Sequence, residues 1–210
     1  MIDLYTWSTP NGRKISIMLE ELGLEYKVYP INITKNEQYS TDFLKLSPNN
    51  KIPAIYDREN KISLMESGTI LLYLAEKYNK FFPKGLNEKY KYMEWLSFQI
   101  ASQGPMLGQA HHFLKFNKGK SIYAEKRYKE EAERLYQVIN KRLNHYNYLG
   151  GSEFSIVDIA TWPWIARFEW HQVDITKYEK VCDWYNLISA RNAVKKGYDI
   201  PKIGALIPKI

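Results

Sequence analysis

The period of the hydrophobic positions changes along the chain, and the change divides it in two. Over the first 78 residues, alternating and helical patterns take turns. Ile2 to Trp7 reads as a strand, Asn11 to Leu22 as a helix burying Ile15, Met18, Leu19 and Leu22, and Tyr26 to Ile31 as a second strand. A short helix is expected at Thr41 to Leu46. Pro53 to Tyr56 and Ile62 to Leu64 flank the turn Asp57-Arg58-Glu59-Asn60 as a hairpin, and Glu66 to Tyr78 forms a helix with Ile70, Leu71, Leu74 and Ala75 inward. The order βαβ, then α, then ββα is that of an α/β unit.

From Asn87 onward the strand signals give way to long helical patterns. Asn87 to Phe116 and Ser121 to Tyr146 read as two long helices. The first should bend at Gly104-Pro105, because proline lacks the ladder donor and crowds the preceding turn. A third helix begins at Ser155, where Ser155-Ile156-Val157-Asp158 is a capping box variant with Phe154 placed as a staple to Ile159, and Pro163 should kink it. A fourth covers Lys177 to Arg191. Gly197 to Ile210, with two prolines and two glycines, reads as a tail lying on the surface. The expected organisation is a first domain over residues 1–80, a linker at Phe82-Pro83-Lys84-Gly85, and an all-helical domain over residues 87–210.

Composition narrows the chemistry more than the fold. The chain has 210 residues, 45% apolar and 25% charged, which excludes a disordered or collagen-like polymer and permits a proper core. Its single cysteine, Cys182, can form neither an internal disulfide nor half of a CxxC pair, so any redox chemistry must borrow its sulfur. Residues 1–78 hold 9 basic and 10 acidic side chains, and residues 79–210 hold 21 and 13, so the net charge of +7 arises in the second part. Those charges are interspersed with Glu130, Glu131 and Glu133 along helical segments, the pattern of a solvated surface rather than a nucleic-acid footprint. Trp95 to Leu114 is uncharged, yet its serines, glutamines and histidines make it too polar for a bilayer. The start MIDLYTW has no basic and apolar leader pattern. The expectation is a soluble cytoplasmic protein with no membrane or nucleic-acid partner.

Three places have chemical potential. At Asn50-Lys51-Ile52-Pro53-Ala54-Ile55, Pro53 either simply opens a strand, where a missing N–H is tolerated, or forms a cis bond that turns the Ile52 backbone towards an extended peptide ligand. At Glu66-Ser67-Gly68, the serine caps a helix; alternatively its hydroxyl and the free N–H groups receive a carboxylate while Glu66 holds an ammonium, together gripping an α-amino-acid end. At Ser8-Thr9-Pro10-Asn11-Gly12, the residues make a turn with Asn11 as a plausible helix cap. A sulfur placed there would feel the helix N-terminus, which lowers a thiol pKa, and that thiol would have to arrive with the ligand.

A βαβ-α-ββα unit carrying N-N-K-I-P-A-I and E-S-G-x-I-L-x-Y-L, followed by helices with an S-I-x-D-I-A box, resembles a cytosolic glutathione transferase. T-P-N-G after the first strand and G-P-M-L-G-Q-x-H-H-F in the second part resemble its nu class, the bacterial glutathione disulfide-bond oxidoreductases, with the transferase-like domain of the yeast prion protein as a relative. The resemblance implies a thioredoxin-like α/β domain followed by an all-α domain, a homodimer, and glutathione as co-substrate with no metal. It also implies a cis Ile52-Pro53 bond, with Ile52 pairing with the cysteinyl part of glutathione, and Glu66 and Ser67 at the γ-glutamyl end. Thr9 and Asn11 then face the sulfur, Gln38 and Lys51 meet the glycyl end, and Arg127 reaches a second glutathione in a cleft between the domains.

Ser8 departs from that pattern: S-x-P is similar to the serine-type transferases, so Ser8 rivals Thr9 for the sulfur. Tyr5, inside the strand, is discounted as a thiol activator. His111 and His112, adjacent on a helix, point about 100° apart and cannot chelate one metal together. Cys182, Trp162 and Trp164 read as core. The implied activity is disulfide reduction by the glutathione thiolate, with conjugation by a serine-type transferase as the alternative and a non-catalytic regulatory or assembly module as the third reading.

Overall fold

β1 (Ile2–Thr6), α1 (Pro10–Leu22), β2 (Tyr26–Pro30), α2 (Thr41–Leu46), β3 (Ala54–Asp57), β4 (Ile62–Met65) and α3 (Ser67–Tyr78) follow one another as the periodicity predicts. In the computed structural model, which describes residues 1–210, they form one four-stranded sheet in the order β2-β1-β3-β4. β1 runs parallel to β2 through the α1 crossover, and β3 is antiparallel to both β1 and β4. Ile2 and Leu4 of β1, Ile55 of β3, Ile15, Met18 and Leu19 of α1, and Ile70, Leu71 and Leu74 of α3 are all buried. This is the thioredoxin-like arrangement expected.

The chain divides into two units. One comprises Met1–Phe82 with Ala190–Ile207, and the other Pro83–Ser189 with Pro208–Ile210. The second is helical: α4 (Leu86–Phe98), α5 (Gly104–Ala110), α6 (Ile122–Leu143), α7 (Ile156–Ile165) and α8 (Glu179–Ser189). The bend predicted at Gly104-Pro105 takes the form of a widened turn. Gln99–Gln103 is π-helical, with the Gly104 N–H bonding the Gln99 carbonyl five residues back, and Pro105 then enters near the start of α5. The slip in the ladder absorbs the donor that proline lacks. A second π-helical turn, His111–Phe116, follows α5.

α7 opens on the predicted capping box. The Ser155 hydroxyl accepts from the Val157 N–H, and the Asp158 carboxylate accepts from the Ser155 N–H at 3.1 Å. Asp158 also receives the Ser155 hydroxyl, the Leu149 N–H and the Trp184 indole N–H at 2.8–2.9 Å, so one buried side chain ties three segments together. Phe154 packs edge to face on Tyr148, and Pro163 sits inside the helix two residues before its end.

Two expectations need correction here. Residues Ala190–Ile207 group with the first unit and not with the helical one, and the segment from Gly197 is not a surface tail at its start. Residues Asn192–Tyr198 form α9, packed along α1 in the first unit. Val194, Tyr198 and Ile200 are buried. Gly197 makes this possible: a Cβ there would stand 2.7 Å from both the Cα and the N of Ile17. Ser16 donates to the Gly197 carbonyl at 2.6 Å, and Arg13 Nε donates to the Tyr198 carbonyl at 2.9 Å with its guanidinium over the Tyr198 ring. The glycine serves close helix approach and not a turn. No helix is long and apolar enough to cross a membrane.

Candidate active site

The strand register gathers the three candidate loops. Tyr5 pairs with Ala54, and Ala54 with Met65, so Trp7–Thr9 leaving β1, Ile52-Pro53 entering β3 and Glu66-Ser67 leaving β4 emerge at the same end of the sheet. Thr6 pairs with Pro30 and its carbonyl accepts from the Ile31 N–H at 2.9 Å, so the segment that follows β2 starts from that end as well. Phe43, Ile52 and Ala54 pack with Trp7, Ile31 and Ile33 beneath it. The N-termini of α1 and α3 open at this end, each following directly on the strand that arrives there, so their N–H groups and positive dipole ends favour anions.

Thr9, not Asn11, is the cap of α1. Its backbone is extended (φ −117°, ψ 162°), its hydroxyl oxygen accepts the Gly12 N–H at 3.2 Å, and Pro10 occupies the first helical position. Proline there is favoured because its N–H would have been left over in any case. Asn11, half-buried, stands at the second position. A Cβ on Gly12 would lie 2.2 Å from the Trp7 carbonyl, so the tight entry into α1 depends on glycine. The Thr9 oxygen that accepts a bond keeps its own proton to donate. Ser8 Oγ accepts from Nη2 of the buried Arg13 at 2.8 Å.

At α3, Glu66 precedes the helix with φ 67° and ψ 111°. A non-glycine residue held there is strained, and such strain concentrates where a site over-determines the backbone. Ser67 is buried, and Lys14 Nζ donates to its hydroxyl at 3.2 Å. Burial pushes the Lys14 ammonium down to about 7, against the pull of Glu66. The sequence reading missed Lys14. Its signal was weak, because a lysine near the start of an amphipathic helix normally lies on a solvated face, and here the side chain is buried with its ammonium on α3. Ile52-Pro53 is cis. Ile52 lies just outside the ladder whose first rung is Ala54, and the Lys51 carbonyl before it accepts from Ser47 Oγ at 2.8 Å.

The N-terminal domain of glutathione S-transferase matches residues 1–76, and its C-terminal domain matches residues 104–192. The chain belongs to the glutathione S-transferase family. Over 198 residues it is 44% identical to the disulfide-bond oxidoreductase YfcG of Escherichia coli (strain K12), with 92% of each chain covered. Among solved structures it resembles the glutathione transferase of Burkholderia graminis with two glutathione molecules bound per subunit, at a TM-score of 0.90 and 38% identity over 97% of this chain and 89% of that one. It also resembles the transferase of Pseudomonas putida with one glutathione disulfide bound, at a TM-score of 0.90 and 35% identity over 97% and 92%. The resemblance to the nu class agrees with these relatives.

The remaining candidates of this transferase are placed as follows. Gln38 is half-buried in the turn Glu37–Tyr39, its Oε1 enclosed without a hydrogen-bond partner, and the Lys51 side chain is exposed. Arg127 is exposed on α6, in the helical unit. Tyr5 stacks on Tyr29 with ring centroids 4.7 Å apart, inside β1. His111 is buried and stacks on the buried His171 at 4.7 Å, whereas His112 is exposed, so the two neighbours have unrelated surroundings. Trp162 and Trp164 are core residues, as expected. Cys182 is half-buried on α8, its thiol donating to the Ile175 carbonyl at 3.1 Å, and burial pushes its pKa up.

Proposed function

We propose that this transferase is a glutathione-dependent disulfide-bond oxidoreductase with glutathione transferase activity, and that the reacting sulfur belongs to glutathione. The observation that carries this reading is the cap of α1. It offers the Thr9 hydroxyl, half-buried Asn11 and a helix N-terminus, but no cysteine, while the one cysteine of the chain has a raised pKa and lies in the other unit. Thiolate, not thiol, is the nucleophile, so a helix N-terminus and a donating hydroxyl activate a thiol carried in by the ligand.

In this reading, the Ile52 backbone pairs with the cysteinyl unit, Glu66 and Ser67 hold the γ-glutamyl ammonium and carboxylate, and Gln38 and Lys51 meet the glycyl end. Thr9 donates to the thiolate and Asn11 orients it. The bound thiolate attacks one sulfur of a substrate disulfide, forming a mixed disulfide and expelling the other sulfur as a thiolate. A second glutathione, its carboxylate met by Arg127, attacks the glutathione sulfur of the mixed disulfide. Glutathione disulfide and the second substrate thiol leave; two glutathiones are oxidised and one disulfide is reduced. The likeness to structures holding two glutathiones or one glutathione disulfide supports this stoichiometry. A homodimer working in the glutathione-rich cytoplasm completes the reading.

A crystal soaked with oxidised glutathione tests it. Two joined tripeptides, one of them along Ile52, Glu66 and Ser67, are expected. A single tripeptide, with turnover confined to carbon electrophiles, would make the protein a conjugating transferase instead.

A further inference from the structure

In the helical unit, charges that are interspersed elsewhere gather at one turn. Residues 115–127, which join the second π-helical turn to α6, hold five cations, Lys115, Lys118, Lys120, Lys126 and Arg127, against the single acid Glu125, and all five cations are exposed. Three large apolar side chains stand among them: Ile122 is 83% exposed, Tyr123 76% and Phe116 64%. Exposed apolar residues scattered singly need no explanation, but a group of them ringed by one sign of charge marks a contact surface. We infer that this turn is a docking surface for an anionic lipid bilayer, with the lysines at the lipid phosphates and Phe116, Ile122 and Tyr123 in the headgroup layer. The inference is independent of the disulfide chemistry proposed above.

The turn is ordered before any partner arrives. The Asn117 N–H bonds the His112 carbonyl at 2.9 Å, the Lys120 N–H bonds the Asn117 carbonyl at 3.1 Å, and Ser121 Oγ caps α6 by accepting from the Ala124 N–H at 3.3 Å. Gly119, at φ 86°, donates its N–H to the Glu125 carboxylate at 2.6 Å, so the one acid is folded back on the backbone of the turn. Phe116 stands edge on to Trp170 with centroids 5.6 Å apart, and Lys115 Nζ lies 5.6 Å from the centre of a Trp170 ring. On α6, Ile122 and Tyr123 precede Lys126 by four and three residues and share its side of the helix. A surface already held in place loses little freedom on docking.

The charge selects an anionic partner, and the apolar residues select which one. Lysines alone would suit a phosphate backbone of nucleic acid, but an isoleucine presented to solvent has no base to stack on or pair with there. Aromatic and aliphatic side chains flanked by lysines match the bilayer interface, where each finds its own layer. The expectation of no membrane partner rested on spanning and leader segments, and a surface contact needs neither. Leu86 and Tyr90 of α4 are also exposed, yet Glu88, Lys89 and Lys91 around them are of mixed sign and select no such partner.

Flotation of the full chain with lipid vesicles tests the assignment. The protein should float with vesicles of about one-third phosphatidylglycerol in phosphatidylcholine and stay behind with phosphatidylcholine alone, and about 1 M sodium chloride should release it. Lys118→Gln with Lys120→Gln should weaken binding about thirtyfold, whereas the same pair of changes at the exposed Lys195 and Lys196 of α9 should weaken it by no more than about threefold. Ile122→Asn should weaken it about tenfold with the unfolding midpoint unchanged. No flotation, equal flotation with neutral and anionic vesicles, or equal losses from the two lysine pairs would overturn the inference. So would a wild type that ignores vesicles but binds a single-stranded oligonucleotide through Lys118 and Lys120, which would make the turn a nucleic-acid contact. Conversion of a dimer to a monomer by Ile122→Asn in light scattering would make it a subunit interface instead. If a variant fails to fold, the dependence of the wild type on lipid charge and salt decides alone.

Discussion

Nη2 of Arg13 stands 2.8 Å from Oγ of Ser8, so the hydroxyl that rivals Thr9 is already held as an acceptor by a buried guanidinium whose Nε is fixed on the Tyr198 carbonyl. Thr9 Oγ1 likewise accepts, from the Gly12 N–H, so each hydroxyl keeps a proton to donate, and it is the position of Thr9 as the cap of α1, at the positive end of the helix, that favours it for a thiolate. A hydroxyl donating to a thiolate is worth roughly 1.5–3 kcal/mol, or about one to two pKa units. Thr9→Val should therefore raise the thiol pKa of bound glutathione by that amount and slow turnover at neutral pH, with tripeptide affinity nearly unchanged. Ser8→Ala should leave the pKa in place. Thiolate absorbance titrated against pH in both variants provides the check, and a shift confined to Ser8→Ala would assign the sulfur to the serine.

Cys182→Ala should keep full disulfide-reductase activity, because its thiol has a raised pKa and is engaged with the Ile175 carbonyl. Steady-state rates with glutathione and a small dialkyl disulfide measure this. A loss greater than about tenfold, some 1.4 kcal/mol at the transition state, would end the cysteine-free mechanism.

The proposed homodimer predicts a mass near twice the 24.8 kDa of the chain by light scattering at micromolar concentration. A closed two-fold assembly of identical subunits is the commonest oligomer of soluble proteins. A monomer mass would remove the dimer from the functional reading.

Gly197→Ala should destabilise the protein by about 1–3 kcal/mol, since its methyl group would overlap the Ile17 backbone of α1 and cannot be relieved by a side-chain rotation. The midpoint of thermal unfolding should fall by several degrees. An unchanged midpoint would mean that α9 does not lie against α1.

Acid should weaken the helical unit through His111 and His171. Burial, with Arg167 adding to it, pushes the His111 pKa down to about 3, and burial puts His171 well below its ordinary value, with His111 and Arg167 adding to it. Their folded-state pKa values lie below the unfolded value of 6.5, so the unfolded chain binds more protons. The stability they permit is intact above pH 6.5 and is lost as pH falls towards the folded values, by up to about 1.4 kcal/mol per pH unit for each histidine. Asp158 runs the other way: burial raises it to about 6, so its contribution declines as pH rises through that value and offsets part of the slope. Urea midpoints measured from pH 7.5 to 5 should fall with acid in the wild type and fall less in His171→Gln. Parallel slopes in the two would exclude the histidine pair as the cause.

The periods of the hydrophobic pattern determined by themselves the order of strands and helices in the first unit, the long helices of the second, and the capping box at Ser155, because these depend on neighbours within one turn or one strand. The candidate loops were legible as turn and cap chemistry for the same reason. The hairpin that sets Ala54 beside Met65 was legible, but the pairing of Tyr5 with Ala54, about fifty positions apart, which brings the α1 loop to the other two, is encoded by no local pattern. The cap of α1 fell on Thr9 because Pro10 can start a helix, whereas propensity also allowed Asn11. Lys14, Arg13 and the α9 segment escaped the sequence for a common reason. A charged residue on a helix, or a glycine near a terminus, reads as solvated until another element covers it, and the covering of α1 by α9 is a tertiary event. That contact turned Gly197 from a turn residue into a packing residue, and the packing of α1 on α3 set the buried Lys14 against the hydroxyl of Ser67.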